Sequence, residues 1–130
     1  MAFIKCSGSK LRETVLWENP SPTSAFTTQT VLLNQSINNF KYLKFYYRIS
    51  KSNSTENFII ISVDNFTLMT YENNSFFGGL TGKISNDNSY CRVIVYKSST
   101  SISIQTATKL KYAAATGDYF IPTKINGMKY

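Results

Sequence analysis

The side chains best suited to bind a ligand occur at alternate positions within one segment: Tyr42, Lys44, Tyr46 and Arg48. In a β-strand, successive side chains point to opposite faces, so these four would share one face. Aromatic rings can stack on sugar rings or on bases, and cations can bind hydroxyl groups or anions beside them. The pattern therefore indicates a surface for a glycan, for single-stranded nucleic acid or for a second subunit. An ordinary solvated face with mixed Tyr and Lys is the simpler interpretation.

Enzymatic catalysis has little support in this sequence. The chain contains no histidine, which removes Ser-His-Asp triads, Cys-His dyads and histidine-bound zinc. Seven acidic residues could still supply an acid and a base for glycoside cleavage, but none lies in a recognisable motif. The glycine-rich stretch 78–82 lacks the ending of a phosphate-binding loop, so a turn or bulge is favoured there. We expect a protein with no catalytic residues, no metal and no cofactor.

The net charge of +7 is unevenly distributed along the chain. Residues 52–90 hold four acidic residues against one lysine, a local −3, and the flanks hold the other thirteen cations against three acidic residues. Such asymmetry can mark an anionic partner. An AT-biased genome also explains 11 Lys against 3 Arg in a chain rich in Asn and Ile, and we favour this second interpretation.

The cysteines and the amino terminus bear on the compartment in which the chain folds. Cys6 and Cys91 lie far apart, and a bridge between them stays open as an alternative. The segment from Met1 to Cys6 is too short and too soon interrupted by a lysine to read as the apolar core of a secretory signal, and the longest apolar runs have four residues. We therefore expect cytoplasmic folding in the host, reduced thiols and no membrane insertion.

Hydrophobic periodicity predicts strands throughout the chain and no helix, because the period is two rather than 3.6. The continuous β-branched run from Phe58 to Val63 predicts a central strand covered on both faces, and residues 50–57 predict a loop before it. Short strands separated by turns favour an all-β fold, a single-domain antiparallel β-sandwich of jelly-roll type. We expect the sandwich to span residues 13–130, with residues 1–12 as a short tether or first strand. The predicted strands are Glu13–Trp17, Thr27–Leu33, Phe40–Ile49, Phe58–Val63, Phe66–Tyr71, Leu80–Ile84, Ser89–Tyr96, Ser101–Thr106, Lys109–Tyr112 and Tyr119–Ile125.

Both ends of the predicted domain carry a more specific pattern. The segment from Leu16 to Val31 reads LWENPSPTSAFTTQTV, with Leu33 two residues later, and the segment from Phe120 to Lys129 reads FIPTKINGMK. Together they resemble small domains of bacteriophage tail-fibre, baseplate and head-fibre virion proteins. In that pattern, Leu-Trp precedes a Pro/Ser/Asn turn and a Phe, and the closing strand reads Ile-Pro-x-x-Ile-x-Gly. The two ends cover the whole chain loosely.

The resemblance implies structural roles for Trp17 and Phe26, which also look like core anchors around a proline-stiffened corner. Phe45 and Tyr47, on the opposite face from the candidate ligand residues, complete the predicted anchors. About twelve residues precede the domain, whereas such modules often end a longer fibre, which points to a free-standing small virion protein or a shortened chain.

For function, the resemblance implies a non-enzymatic virion protein. The leading hypothesis is a receptor-binding tail-fibre or appendage module that binds host-surface polysaccharide, assembled as a homotrimer with other virion proteins. The first alternative is a head-fibre, decoration or baseplate accessory protein that does not recognise the host. The third and least favoured hypothesis is a single-stranded nucleic-acid binder.

Overall fold

The structure, a computed structural model, describes residues 12–71, 77–85, 88–109 and 115–129. Most of this part of the chain is β-strand, with one α-helix, α1 (Val63–Tyr71), and a short 3-10 helix at Ile37–Asn39. The strands are β1 (Arg12–Glu18), β2 (Gln29–Leu32), β3 (Tyr42–Ser50), β4 (Asn53–Ser62), β5 (Phe77–Ser85), β6 (Asn88–Ser98), β7 (Ser101–Ile104), β8 (Ala107–Lys109), β9 (Ala115–Thr116) and β10 (Tyr119–Lys129).

The strands form two antiparallel sheets. The four-stranded sheet has the order β1-β10-β3-β4, and the six-stranded sheet has the order β2-β7-β6-β8-β9, with β5 also paired to β6. The predicted all-β sandwich is therefore confirmed. Its jelly-roll connectivity stays a prediction, because this strand order does not establish it.

The core lies between the two sheets, and strand alternation supplies it. On β3, Leu43 and Phe45 are buried, and on β7, Ile102 is buried, as the period of two predicts. Phe66 of α1 connects the layers, with its ring centroid 6.1 Å from that of Phe45 and 5.8 Å from that of Tyr96. The helix therefore closes one side of the aromatic core.

The four predicted core anchors all contact this core. Phe26 and Phe45 are buried, while Trp17 and Tyr47 are partly buried and pack against the cluster. The rings of Trp17 and Phe26 meet edge to face at 6.1 Å. A bulge between Val15 and Trp17 makes Leu16, rather than Trp17, the fully buried residue of β1.

The prediction of a central strand at Phe58–Val63 is wrong. β4 begins at Asn53 and forms an edge of the four-stranded sheet, and the side chains of Phe58 and Ile60 are 51% and 47% exposed. A β-branched run identifies a strand but does not decide its place in a sheet. The predicted loop at 50–57 reduces to a turn at residues 51–52.

The strand predicted at Phe66–Tyr71 is also wrong, because this segment is helical. The Ser62 hydroxyl accepts a hydrogen bond from the backbone N–H of Asn65 at 3.1 Å, and Asp64 lies in the first turn. Both features favour a helix start. Val63 and Phe66, three residues apart, are buried. So short an apolar stripe is hard to distinguish from strand alternation.

Two smaller predictions are confirmed. The predicted strands Ser89–Tyr96 and Ser101–Thr106 form a hairpin, with a two-residue turn between β6 and β7. Of the turn or bulge favoured in the glycine-rich stretch, the structure has a bulge in β5, between Phe77 and Leu80. Residues 1–11 of the predicted N-terminal tether, which include Cys6, and the predicted strand segment 110–112 lie outside the described residues, whereas Arg12 begins β1. No helix within the described ranges is long and apolar enough to cross a membrane.

Arg92 lies inside the sandwich, on the inward face of β6, and is 0% exposed. Its Nη1 donates to the carbonyls of Phe26 at 2.9 Å and Gln105 at 2.8 Å. Its Nη2 donates to the carbonyl of Tyr119 at 2.8 Å, and its Nε to that of Phe120 at 2.9 Å. Burial lowers the pKa of Arg92 to about 10, so the guanidinium stays charged at neutral pH. It thus joins three separate chain segments to β6.

Candidate binding surface

The four candidate ligand residues of β3 lie on the side of the four-stranded sheet that faces away from the core. They alternate with the buried Leu43 and Phe45, and in the adjacent strands Tyr46 lies opposite Lys124 of β10 and Phe58 of β4. We call this side the outer face. Its residues include Glu13, Val15, Tyr42, Lys44, Tyr46, Arg48, Glu56, Phe58, Ile60, Lys124 and Asn126.

Glu13 of β1 organises the middle of the outer face. Its Oε1 accepts hydrogen bonds from the Tyr46 hydroxyl at 2.6 Å and from Asn126 Nδ2 at 2.8 Å, and its Oε2 pairs with Lys44 Nζ at 2.9 Å. The hydrogen bond from Tyr46, followed by those from Lys44 and Asn126, lowers the pKa of Glu13 to about 2 against the opposing effect of burial. Burial and the same bond to Glu13 raise the pKa of Tyr46.

Tyr46 points outward, as the alternation predicts, but contacts within the protein already occupy its hydroxyl and its ring. Lys44 Nζ lies 4.8 Å and Lys124 Nζ 4.6 Å from the centroid of its ring. The Phe58 ring is tilted against it at 5.9 Å. Because its hydroxyl donates to Glu13 and two ammonium groups lie against its ring, Tyr46 holds the surface together rather than offering an open ring to a ligand.

Phe58 is the most exposed aromatic ring of the outer face, since Tyr42 and Tyr46 are half-buried. It is 51% exposed, and the exposed apolar side chains Ile60 and Val15 lie on the same face, at 47% and 40%. Lys44 Nζ lies 4.1 Å from the centroid of the Phe58 ring. Phe58 was not among the candidate ligand residues, because its segment was predicted to be a strand covered on both faces. The alternation of Glu56, Phe58 and Ile60 was the available signal.

Arg48 shapes the end of the outer face where β3 meets β4. Its Nε donates to the carbonyl of Asn53 at 2.9 Å, and its Nη atoms donate to the carbonyls of Pro22 at 3.3 Å and Lys51 at 3.4 Å. The guanidinium therefore connects the β3–β4 turn to the proline-rich corner after β1. Like Tyr46, Arg48 mainly contacts other groups of the protein, in this case backbone carbonyls.

A groove of about 330 Å³ opens beside Arg48. Glu18, Glu56, Thr123 and Lys124 are among the residues that line it. The Thr123 hydroxyl donates to Glu56 Oε2 at 2.6 Å, which orients that carboxylate. Carboxylates, an ammonium group and a hydroxyl are well suited to hydrogen-bond with the hydroxyl groups of a sugar.

Neither a metal site nor a reactive thiol emerges from the parts of the chain that the structure describes. They contain no group of three or more His, Cys, Asp or Glu residues that could hold a metal ion. The Cys91 thiol is half-buried, and burial raises its pKa. A thiol of that kind is a poor nucleophile.

The Glu13 cluster predicts an acid-dependent loss of stability. The Glu13 pKa is about 2 in the folded chain against 4.5 in the reference state, so its contribution is complete above pH 4.5 and disappears as the pH falls towards 2. A shift of this size corresponds to about 3 kcal/mol when fully buried, and screening of the partly exposed carboxylate reduces it to about 1–2 kcal/mol. Urea unfolding at pH 7, 4 and 2 measures this loss.

A Glu13→Gln variant is the control for this prediction, because glutamine has no titrating group. It should be less stable than the wild type at pH 7, and the difference should shrink towards zero at pH 2. A difference that stays constant with pH would show that the ionised carboxylate does not stabilise the sheet.

Comparisons with known proteins do not assign this chain to a family. No protein-family model matches the sequence. No curated protein matches it either. The outer face and its groove are therefore the main guide to function.

Proposed function

We propose that this chain is a non-catalytic binding module of a bacteriophage virion whose outer face binds a host-surface glycan. The observation that carries the proposal is Phe58, a half-exposed ring on a paired strand beside a polar groove. The virion setting is supported by the sequence resemblance at the two ends of the domain.

The recognition chemistry needs a stacking ring and hydrogen-bonding groups close to it. The apolar C–H face of a pyranose would lie on Phe58, and its hydroxyl groups would meet Glu56 and Lys124 in the groove. Glu13 and Tyr46 would act as positioning residues, because they hold Lys44 against the Phe58 ring. Uncharged sugars suit such a surface, since most of its charged groups are already paired.

The groove is open and shallow, so a single site would bind weakly. Three copies in a homotrimer would raise the apparent affinity by avidity without any new contact. Assembly into the virion would bring several identical sites together, and a repetitive polysaccharide would offer several copies of the sugar that they bind. The two properties would therefore go together.

Substitution of Phe58 tests the proposal. Phe58→Ala should weaken binding to host-surface polysaccharide roughly 10- to 100-fold, because ring stacking contributes about 1–3 kcal/mol. Leu32→Ala is the matched control, since Leu32 is an exposed apolar residue, at 73%, on the six-stranded sheet. Glycan arrays and host-cell binding measure the effect. Equal binding by Phe58→Ala and the wild type, or no binding by the wild type, would overturn the proposal.

The two alternatives predict different results. A decoration or baseplate protein would be incorporated stoichiometrically into particles, and adsorption to the host would be unimpaired in its absence. A nucleic-acid binder would show an affinity that falls steeply with salt in mobility-shift titrations. The pairing of Lys44 with Glu13 and of Arg48 with backbone carbonyls weakens this last alternative, because it leaves fewer cations for phosphates.

A further inference from the structure

A second concave site lies at the end of the four-stranded sheet where β3 begins and β10 ends. Its volume is about 430 Å³, which is within the usual range of small-molecule sites, about 300–1,000 Å³. It shares no lining residue with the groove beside Arg48. The seven residues of extended chain from Lys41 to Arg48 separate the two sites by about 23 Å. The pocket is lined by Asn38, Asn39, Phe40, Lys41, Asp64 and Lys129.

The apolar wall of this pocket is fixed by close packing. Phe40 is buried against Gly127, where an added Cβ would lie 2.5 Å from the ring. Lys129 Nζ lies 5.6 Å from the centroid of the same ring. Only glycine fits at position 127 without displacing Phe40, so the pocket wall and the β10 backbone are held together.

The rim is held by backbone hydrogen bonds from two further segments. The Lys41 N–H donates to the carbonyl of Met128 at 2.9 Å, and the Lys41 carbonyl accepts from the N–H of Val63 at 2.9 Å. Lys41 is thereby placed between the end of β10 and the start of α1, which carries Asp64. These bonds fix the backbone of Lys41 relative to the strand and the helix that carry the other two charged residues of the pocket.

The charged groups at this pocket have few partners within the described residues, apart from the contact of Lys129 Nζ with the Phe40 ring. Lys41, Lys129 and Asp64 are exposed, and none of them forms an ion pair with another described residue. Two ammonium groups and one carboxylate give the pocket a net charge of +1, with the Asn38 amide beside them. A ligand with one negative charge and several hydroxyl groups would match this set.

We propose that this pocket binds an acidic sugar, a monosaccharide unit with a single carboxylate. Lys41 and Lys129 would bind the carboxylate, Asp64 would accept hydrogen bonds from hydroxyl groups, and Asn38 could donate or accept. A phosphate dianion fits less well, because it would bring two negative charges close to the Asp64 carboxylate. The choice of a sugar rests on the proposed function, whereas the location of the pocket does not.

Titration of the full chain with glucuronic acid, glucose and inorganic phosphate tests this proposal. Glucuronic acid should shift the amide resonances of Lys41 and Gly127 in NMR spectra at concentrations up to about 10 mM, and glucose should bind at least roughly tenfold more weakly. Lys41→Gln and Lys129→Gln should each weaken glucuronic acid binding about tenfold. Lys97→Gln, at an exposed lysine of β6, is the control and should have no effect.

Asp64→Asn separates an acidic-sugar site from a simple anion site. The variant should weaken glucuronic acid binding, because a strong acceptor for hydroxyl groups is lost. Three results would overturn the proposal: no shift at these amides, phosphate binding as tight as that of glucuronic acid, or tighter glucuronic acid binding by Asp64→Asn. Phe58→Ala should leave this titration unchanged, so failure of the outer-face proposal and failure of this one are distinguishable.

Discussion

An Arg92→Leu variant should lose about 4–6 kcal/mol of stability. The substitution removes the donors of four backbone carbonyls, two in buried and two in partly buried hydrogen bonds, and an unpaired buried acceptor costs about 1–3 kcal/mol. Relief of the desolvation that lowers the Arg92 pKa from 12.5 to about 10 returns about 3 kcal/mol. The unpaired carbonyls outweigh this gain, and the net loss is a large part of the total stability of an ordinary domain, about 5–15 kcal/mol.

Arg48→Leu is the matched control for this prediction. Arg48 also donates to three backbone carbonyls, but it is half-exposed, so water can replace the lost donors and the loss should be about 1 kcal/mol. Urea unfolding followed by the fluorescence of Trp17, the single tryptophan, measures both variants. Similar stabilities for the two variants would contradict the role assigned to Arg92.

Phe45→Ala should destabilise the protein by about 3–5 kcal/mol, because truncating a buried ring leaves a cavity between the sheets. Phe45 is 1% exposed and packs against Phe66 of α1, so helix and sheet would both lose support. Thermal unfolding measured by calorimetry gives the size of the loss.

Tyr46→Ala, at the adjacent position, is the comparison. Its ring lies on the outer face, and the substitution removes the hydrogen bond to Glu13 and the contacts with Lys44 and Lys124. These exposed contacts contribute about 1–2 kcal/mol together, less than the Phe45 cavity. Equal losses for Phe45→Ala and Tyr46→Ala would contradict the assignment of the two faces of β3.

Strand alternation was readable from the sequence wherever one face is buried. The inward Leu43 and Phe45 and the outward Lys44 and Tyr46 follow from the period of two, because a shift by one residue would bury the charged side chains. The hairpin between β6 and β7 was readable as well, since its turn residues separate two alternating runs. Local patterns therefore determined the fold class. For strands with one buried face, they also determined which side chains point towards the core and which point outward.

The sequence also showed that Arg92 and Ile94 share one face of β6, but not that this face is buried with the guanidinium inside it. The four carbonyls that accept its hydrogen bonds come from segments distant in sequence, and only folding brings them together. Charged residues are rarely fully buried, so local reasoning has no basis for placing an arginine there.

The candidate site was likewise only partly determined by the sequence. Alternation placed Tyr46 on an outer face, whereas the tertiary structure decided that Glu13 would occupy its hydroxyl and that Phe58 would be the exposed ring. The position of β4 at the edge of the sheet and the pairing of β1 with β10 produce both results. Strand order depends on contacts between distant segments, and residue periodicity within a single strand carries no information about it.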